Sequence, residues 1–593
     1  MKRYAADFET TTVVPARVWA WGVACTDTPE EVQTGETIDS FIEWCRNAKN
    51  PVVYFHNEKF DGSFILYYLL THGYTWCRKK GECKENNFTT IIDNFGKFYA
   101  IEIYWARKGH KVQKCTIYDS FKIVPMSVEK AAKDFGLKIQ KLEIDYTAHD
   151  EPGKPVTDKE WQYLRHDVSI MAQVLAFMFA NDMSKMTIGA CALADYKKFI
   201  GQRMFDCLFP KVPFEIDCEM RAAYKGGWCY ANPEHAGKDV ESGMVFDVNS
   251  LYPSQMASRP LPWGVPLVYE GKYQTDTKYP LYIQRLRCAF TIKPGFLPTI
   301  QLKNNGLFMP TEYITDSGGE IVDLCLCSCD LELFLKHYDV YFLEYLGGWK
   351  FRARSDMFTA WVKKWADLKI ESDRNGNKAM RQLCKLIMNN LYGKFSTNPV
   401  RRSKKPVFSK NLDCVCYQPI KTKCTDENGK AQLDENGEPL ETDFEIVDAV
   451  YLPVGAFITA WARYTTISAA QKIHGDSLRE LGYSRFCYSD TDSIHIIGNE
   501  LPDIDIDPYR LGAWKHESSF SRARFIQAKR YIEDEIKEDG TNELKVTCAG
   551  MPAACHKYVT WDNFVPGAQY PGKLVPKTVQ GGTILVETTF TMK

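Results

Sequence analysis

The chain has 593 residues, of which 45% are hydrophobic and 25% charged. That length exceeds what one compact core organises, so two or more domains are expected. A formal net charge of -1 excludes a global positive field, and a polyanion partner would have to be met by local clusters. Candidate clusters are residues 107–114 (RKGHKVQK), 401–405 (RRSKK) and 522–530 (RARFIQAKR); each also reads as a solvated charged face. The 20 cysteines include no Cys-x-x-Cys pair. Cys325, Cys327 and Cys329 alternate as on one face of a strand, and reduced thiols in a core suit them better than a zinc site, which needs four converging donors. There is no apolar leader and no run approaching the roughly 20 apolar residues that span a bilayer. The expectation is a reducing cytoplasm, that of a host cell, and no membrane partner.

In chain order, residues 4–8, 51–55 and 116–118 read as strands, and residues 161–180 as a helix, because apolar residues recur there at three- and four-residue spacing. A second body begins near residue 215. Its strand 243–248 leads into Ser250-Leu-Tyr-Pro-Ser, which opens a helix. Residues 381–395 (RQLCKLIMNNLYGKF) form an amphipathic helix. Residues 425–448 are polar and acidic, with the turn signals ENGK and ENGE, and read as an exposed loop or hairpin.

Asp7 and Glu9 stand two apart on a strand and share a face. Asn57 and Asp61 follow an apolar strand in HNEKFDG. Tyr163 and Asp167 are four apart on a helix and share a face. Four carboxylates brought together repel unless cations intervene. Two divalent ions about 4 Å apart relieve that repulsion and suit phosphodiester hydrolysis, with Tyr163 orienting the water.

A second set follows the same logic. Asp247 ends its strand, and Asp490 and Asp492 flank a tight YSDTDS turn inside a hairpin. Carboxylates two apart on a turn can face one metal pair, which a triphosphate and a primer 3′-hydroxyl require. On the helix of residues 381–395, Lys385, Asn389 and Tyr392 share a face, with Leu383, Leu386, Ile387 and Leu391 opposite. Lys385 neutralises phosphate as a compact cation, and Lys369 is a second candidate for that role.

DFETTT, HNEKFDG and YLRHD resemble the three exonuclease motifs of family B DNA polymerases. DVNSLYP, KLIMNNLYGK and YSDTDS resemble the three polymerase motifs, in the expected order. The resemblance implies an α/β (α+β) fold: an RNase H-like 3′–5′ exonuclease domain over residues 1–187, then a right-hand polymerase domain over 188–593. It implies that Thr10, His56, Asn57, Phe60, Ser120 and Phe121 hold single-stranded DNA, the phenylalanines as stacking platforms, and that Lys141 assists the exonuclease. It implies that Tyr252 blocks a ribose 2′-hydroxyl and that Lys529 and Tyr531 hold the primer end. Tyr224, Gly226 and Gly227 resemble the linker motif whose glycines admit the template backbone, and Thr491 is placed among the DNA contacts. Val248 joins Asp7, Glu9, Asp167, Asp247, Asp490 and Asp492 as a metal ligand. The implied cofactor is Mg2+, two per active site, with Mn2+ an alternative.

Two stretches exceed what a palm-to-fingers crossing needs. An insertion at residues 259–356 precedes fingers at 357–396, and a second insertion occupies 397–448. The palm would comprise 188–258 and 449–544, and the thumb 545–593. The acids begin at Asp7, with no large leading domain expected. Insertions at these places resemble the protein-primed polymerases of small linear-genome phages, in which the first contacts a terminal priming protein and the second supports processivity and strand displacement. DNA template and primer, deoxynucleoside triphosphates and that priming protein are the implied partners, with a monomer or a heterodimer with the priming protein. The acidic tip would weaken a grip on DNA, which RRSKK could offset. Two other readings stand beside this one: a nucleic-acid-primed family B polymerase, and a catalytically silent DNA-binding scaffold.

Overall fold

A computed structural model describes residues 2–108, 111–302, 312–423, 432–433 and 438–593. The N-terminal region is built on a mixed eight-stranded sheet. Its centre is the strand Arg3–Thr10, paired antiparallel with Val18–Cys25 and parallel with Val52–Phe55, which in turn lies parallel to Lys111–Asp119. Val52–Phe55 is buried on both faces, as expected of a parallel central strand. The helix Asp158–Ala180 crosses the sheet. Thr157 and Glu160 cap its start reciprocally, which satisfies two of the amides a helix leaves unpaired. Leu164, Val168, Met171, Leu175 and Met178 form its buried stripe, the periodicity that marks the helix in the sequence.

The second body centres on an antiparallel sheet of seven strands. Its middle strand, Asp239–Val248, lies between Ser493–Ile497 and Trp514–Gln527. The sheet ends on Asn542–Cys548, so the palm runs on past residue 544. A 30-residue helix, Leu452–Leu481, packs across the palm; Pro453 sits in its first turn and Gly482 ends it in a left-handed conformation. The fingers are the helices Thr359–Arg374 and Lys378–Phe395. The second packs on Ile188–Ile200, so that early helix belongs spatially with the fingers.

The first insertion is a four-stranded sheet with its own apolar core around Leu286, Phe290, Leu324, Phe334 and Tyr338. Cys325 and Cys327 lie on its strand Val322–Cys327, but the helix Ser328–His337 takes over at once and carries Cys329. The single-strand reading of the cysteine trio therefore fails at its third member: Cys327 precedes the helix in an extended conformation and the chain turns there. All the described cysteines are free thiols. The helix is tied to the palm by Arg463, fully buried, whose guanidinium donates to both oxygens of Asp330 (3.0 and 2.6 Å) and to the carbonyls of Lys225 and Gly226 (2.8 Å each). A buried ion pair is tolerated only when its remaining donors are satisfied in this way.

The second insertion folds as small antiparallel pairs, Lys404–Ser409 with Cys414–Pro419 and Val400–Arg401 with Glu445–Ile446. It leans on the N-terminal region: Tyr67 of the helix Asp61–Thr71 donates to Asp413 (3.1 Å), Arg78 donates to the Lys421 carbonyl (2.9 Å), and Phe98 of the sheet packs edge-on to Tyr417. Thr422–Lys423 pairs with Glu441–Thr442, so the flanks of the acidic stretch form a ribbon. Its tip, residues 424–431 and 434–437, lies outside the described residues. Within RRSKK, Arg401 and Arg402 pair with Glu445 and Asp443 of the same insertion (3.4 and 3.2 Å). Those two arginines are thus partly neutralised by the acids they were expected to offset.

The C-terminal hairpin Gln569–Val579 with Gly582–Thr591 reaches back over the exonuclease helix Asp61–Thr71. At its turn Gly581 has φ +91, and a Cβ there would lie 1.9 Å from the Ala16 carbonyl oxygen. Only glycine has both the conformation and the bulk for that approach.

Gly243 in the central palm strand is equally constrained. A Cβ would stand 2.1 Å from the Ile496 carbonyl oxygen and 2.4 Å from the Phe520 ring. Gly243→Ala is therefore expected to push away the strand Ser493–Ile497, whose turn carries Asp492. Primer extension should be lost while single-stranded DNA digestion persists; unimpaired extension would contradict this reading of the sheet.

Candidate active sites

The structure brings Asp7, Glu9 and Asp167 to one cavity, with Asp61 buried near Asp7 and outside the lining. Asp7 and Glu9 project from the strand Arg3–Thr10, Asp61 opens the helix Asp61–Thr71, and Tyr163 and Asp167 face them from Asp158–Ala180. Lys141 enters from an irregular segment. Its ammonium forms a short ion pair with Asp167 and donates to the Tyr163 hydroxyl (2.8 Å). Tyr146 meets Tyr163 hydroxyl to hydroxyl at 3.1 Å. The cavity, about 550 Å³, is lined by Asp7, Glu9, Thr10, His56, Phe60, Lys141, Tyr146, Tyr163 and Asp167, and by Leu574 and Leu585 of the C-terminal hairpin. A second cavity of about 470 Å³ shares His56 and Lys141 and adds Asn57 and Phe121. Phe121 is 37% exposed, enough to offer a ring face to an unpaired base. Ser120 is fully buried: it donates to the Phe55 carbonyl (3.0 Å) and touches His56 (3.0 Å), and so acts through the histidine.

The electrostatics of this cavity are those of an unpartnered acid cluster. Burial and the neighbouring Asp167 push the Asp7 carboxyl up to about 7. Burial and Asp7 raise Glu9 well above its usual range, and burial and Asp7 do the same for Asp61. Asp167 is raised by burial, against the pull of Lys141, and its Oδ1 is buried without a hydrogen-bond partner. Among the described residues no three acidic, histidine or cysteine side chains close around one point as a finished cage. The donors present are all carboxylate oxygens that repel one another, with one oxygen left orphaned. That set fits a hard divalent cation whose remaining coordination comes from water or phosphate.

The second acid set converges at the palm. Asp247 lies directly across from Ser493, and the Val248 amide donates to the Asp492 carbonyl (2.8 Å). Val248 is buried and would offer an ion only its main-chain oxygen. Burial, Asp492 and Glu517 push Asp247 up to about 8, and burial raises Asp492. Asp490 differs. Although burial pushes it up, the Cys229 thiol (3.0 Å) and Lys529 (2.7 Å) hold it below the usual carboxylate range. Tyr488 secures Lys529 by accepting from its backbone amide (2.7 Å). Tyr531 is buried against Tyr488, His495 and Phe525 and braces this lysine turn from behind.

Left-handed backbone marks these loops. Asn57, Ser250, Thr491 and Lys529 all have φ between 54° and 69° without being glycine. Such conformations cost of order 1 kcal/mol and persist where the surroundings dictate them. The linker motif is packed for the same purpose. A Cβ on Gly227 would lie 2.5 Å from Thr491, whereas one on Gly226 would meet nothing within 4 Å. Gly227 thus serves the YSDTDS turn, and only Gly226 leaves room for a template.

Tyr252 stacks on Tyr392 at 4.2 Å, joining the start of one helix to the fingers. Lys385 and Asn389 are exposed on the open face of Lys378–Phe395, while Leu383, Leu386, Ile387 and Leu391 are buried. Lys369 is depressed by burial and by the neighbouring cations Arg381 and Lys385, the signature of a pocket that wants an anion. Several participants escaped the sequence reading. Arg381 lies four residues before Lys385 on the same face, so the spacing was there to be used. Tyr146 stands five residues after Lys141, in KLEIDY. Cys229, Leu574 and Leu585 carry no local signal.

The model of the family "DNA polymerase type B, organellar and viral" matches residues 42–158 and 148–510. The chain belongs to that family. It is 40% identical over 609 residues to the DNA polymerase of Bacillus phage M2, covering 100% of both chains. To that of Bacillus phage phi29 it is 41% identical over 611 residues, covering 100% of this chain and 99% of the other. The solved ternary complex of phi29 DNA polymerase with primer-template DNA and incoming nucleotide superposes with a TM-score of 0.89 at 40% identity, over 100% of both chains. This is a DNA-directed DNA polymerase with a 3′–5′ exonuclease, organised as an RNase H-like domain and a right-hand domain. Its family uses divalent metal ions, and its substrates are DNA and deoxynucleoside triphosphates.

Two expectations follow from the separated acid sets. Asp490→Ala should reduce nucleotide addition by at least about 100-fold and leave single-strand digestion intact, and Asp7→Ala with Glu9→Ala should do the reverse. Loss of both activities from either change in a folded chain would overturn the two-centre assignment. The second expectation concerns pH. Carboxyls raised to about 7 and about 8 hold protons that the unfolded chain has released by about pH 5. Metal-free stability therefore falls as pH rises from about 4 to about 8, and a cation that replaces those protons stabilises more at about pH 9 than at about pH 6. Thermal midpoints with chelator and with Mg2+ test this; equal increments at both pH values would refute it.

Proposed function

We propose that this polymerase replicates a linear viral double-stranded DNA genome in the host cytoplasm, starting each strand on a hydroxyl of a terminal priming protein and displacing the strand ahead. The observation that carries the reading is the first insertion. It is a self-contained sheet with its own core, placed between the palm acid Asp247 and the fingers, and latched through Asp330 and Arg463 to the loop carrying Tyr224 and Gly226. A platform beside the primer path is where a protein primer would be steadied. The second insertion, resting on the exonuclease domain, would close over DNA and part a duplex.

Asp247, Asp492 and the Val248 carbonyl would hold two Mg2+ ions, or Mn2+, together with Asp490 when Lys529 is not bound to it; Asp7, Glu9 and Asp167 would do the same in the exonuclease. Those ions supply charge neutralisation at the attacking and leaving oxygens. The chain's own residues do the rest. Lys369, Arg381 and Lys385 neutralise the triphosphate. The Tyr252 ring, held by Tyr392, lies under the sugar and leaves no space for a 2′-hydroxyl. Lys529 steadies the primer end, and Lys141 and Tyr163 orient the water that cleaves a misplaced one.

The test is initiation on a genome end with a candidate priming protein and a labelled nucleotide. A nucleotide bonded to a protein hydroxyl and then elongated is expected; elongation only from nucleic-acid primers would make this a nucleic-acid-primed enzyme. Removing residues 397–448 is expected to shorten products per binding event and to stall synthesis at a downstream duplex.

A further inference from the structure

Fingers and palm enclose a cavity of about 530 Å³ whose walls include Lys363, Lys369 and Arg381 on one side and Arg510 and Lys515 on the other. Most of these cations are already engaged. Lys363 pairs with Asp367 (2.9 Å), Arg381 with Asp373 (2.9 Å), and Arg510 closely with Asp505. Among the described residues Lys515 has no ion pair.

Its position is set by the sheet. Lys515 lies in Trp514–Gln527 directly across from Asp247. Side chains of cross-strand neighbours leave the same face about 5 Å apart, so Lys515 emerges next to Asp247 without forming an ion pair with it. The coupling is visible in Asp247, whose upward shift from burial is opposed by Lys515 and Lys385. One of these cations comes from the palm and the other from the fingers. The backbone before Lys515 is fixed as well. Asn249 donates to the carbonyls of Asp507 (2.8 Å) and Arg510 (3.2 Å), its amide bonds the Ala513 carbonyl (3.0 Å), and Trp514 is buried. A lysine on a surface strand is ordinarily a solvated charge. Lys515 is exposed and shares this cavity with Lys369; Asp367 and Asp373 in the same wall are taken up by Lys363 and Arg381, which leaves Lys369 and Lys515 as cations without an ion pair among the described residues, free to meet an anion.

We propose that Lys515 is a phosphate contact of the polymerising site, holding the β- and γ-phosphates of the incoming nucleotide and the pyrophosphate that leaves. In the reaction the primer 3′-oxygen forms a bond to the α-phosphorus as the bond to the α,β-bridging oxygen breaks. The electron pair departs on pyrophosphate, and the hydroxyl proton passes to solvent. Negative charge therefore grows on the bridging oxygen and the tail. Lys515 meets it from the palm side, opposite the fingers' cations, and remains with the product when the fingers withdraw.

The experiment compares the unaltered chain with Lys515→Ala and Lys515→Arg on a nucleic-acid-primed template, so its outcome does not depend on how synthesis starts. Steady-state single-nucleotide addition gives KM and kcat, and inorganic pyrophosphate serves as product inhibitor and as substrate for the reverse reaction. Lys515→Ala is expected to raise the KM for nucleotide and the pyrophosphate inhibition constant together, each by about fivefold or more. Lys515→Arg should restore most of both, and single-stranded DNA digestion should be unchanged. Unchanged KM and unchanged pyrophosphate inhibition in Lys515→Ala would overturn the proposal. So would a fall in kcat alone, or an equal loss in the arginine variant.

Discussion

Each catalytic centre of this molecule gathers carboxylates closer than they would stand by themselves, and at each a lysine occupies part of the set. At the exonuclease centre Lys141 grips Asp167. At the palm Lys529 grips Asp490. Burial strengthens the repulsion among the remaining acids by lowering the local dielectric. The partial neutralisation eases the repulsion, and the acids that remain hold protons that cations can replace. It also makes the two aspartates of YSDTDS unequal: Asp492 is left to a metal, while Asp490 must first be freed. The same lysines reappear in the chemistry, one beside the hydroxyl of Tyr163 and one where a primer end would lie.

Around these centres the backbone pays in strain for placement. The left-handed residues Asn57, Ser250, Thr491 and Lys529 sit one to four residues from Asp61, Asp247, Asp490 and Asp492, or on the lysine turn itself. Glycine is reserved for close approach: Gly243 lets two strands meet under the palm, and Gly227 lets Thr491 nest. Fixed turns of this kind keep the reacting groups positioned without waiting for substrate to arrange them.

Much of this was readable from residue patterns. Short-range spacing revealed Asp7 with Glu9, Tyr163 with Asp167, Asp490 with Asp492, and the face of Lys385, Asn389 and Tyr392, because two- and four-residue intervals map onto strand and helix faces. Its reach ended where placement depends on distant chain. Leu574 and Leu585 come to the exonuclease cavity from the far end of the sequence. Cys229 meets Asp490 only because the edge strand Cys229–Ala231 pairs with Phe486–Asp490. Cys329 fell off its expected strand because the chain turned into a helix one residue earlier. Neutralisation of Arg401 and Arg402 by Asp443 and Glu445 depends on pairing across the insertion, which composition alone does not disclose.

The C-terminal hairpin and the second insertion both rest on the exonuclease domain, one through the Gly581 turn against Ala16 and the other through Tyr67 and Arg78. The editing domain is thus a foundation on which the DNA-gripping parts stand. A truncated version lacking it would expose Val415 and Tyr417 of the second insertion and Val579 and Ile584 of the hairpin, which pack on its core, and leave two arms without support. Silencing single acids in place is therefore the structurally sound way to remove digestion, and trimming the chain is not.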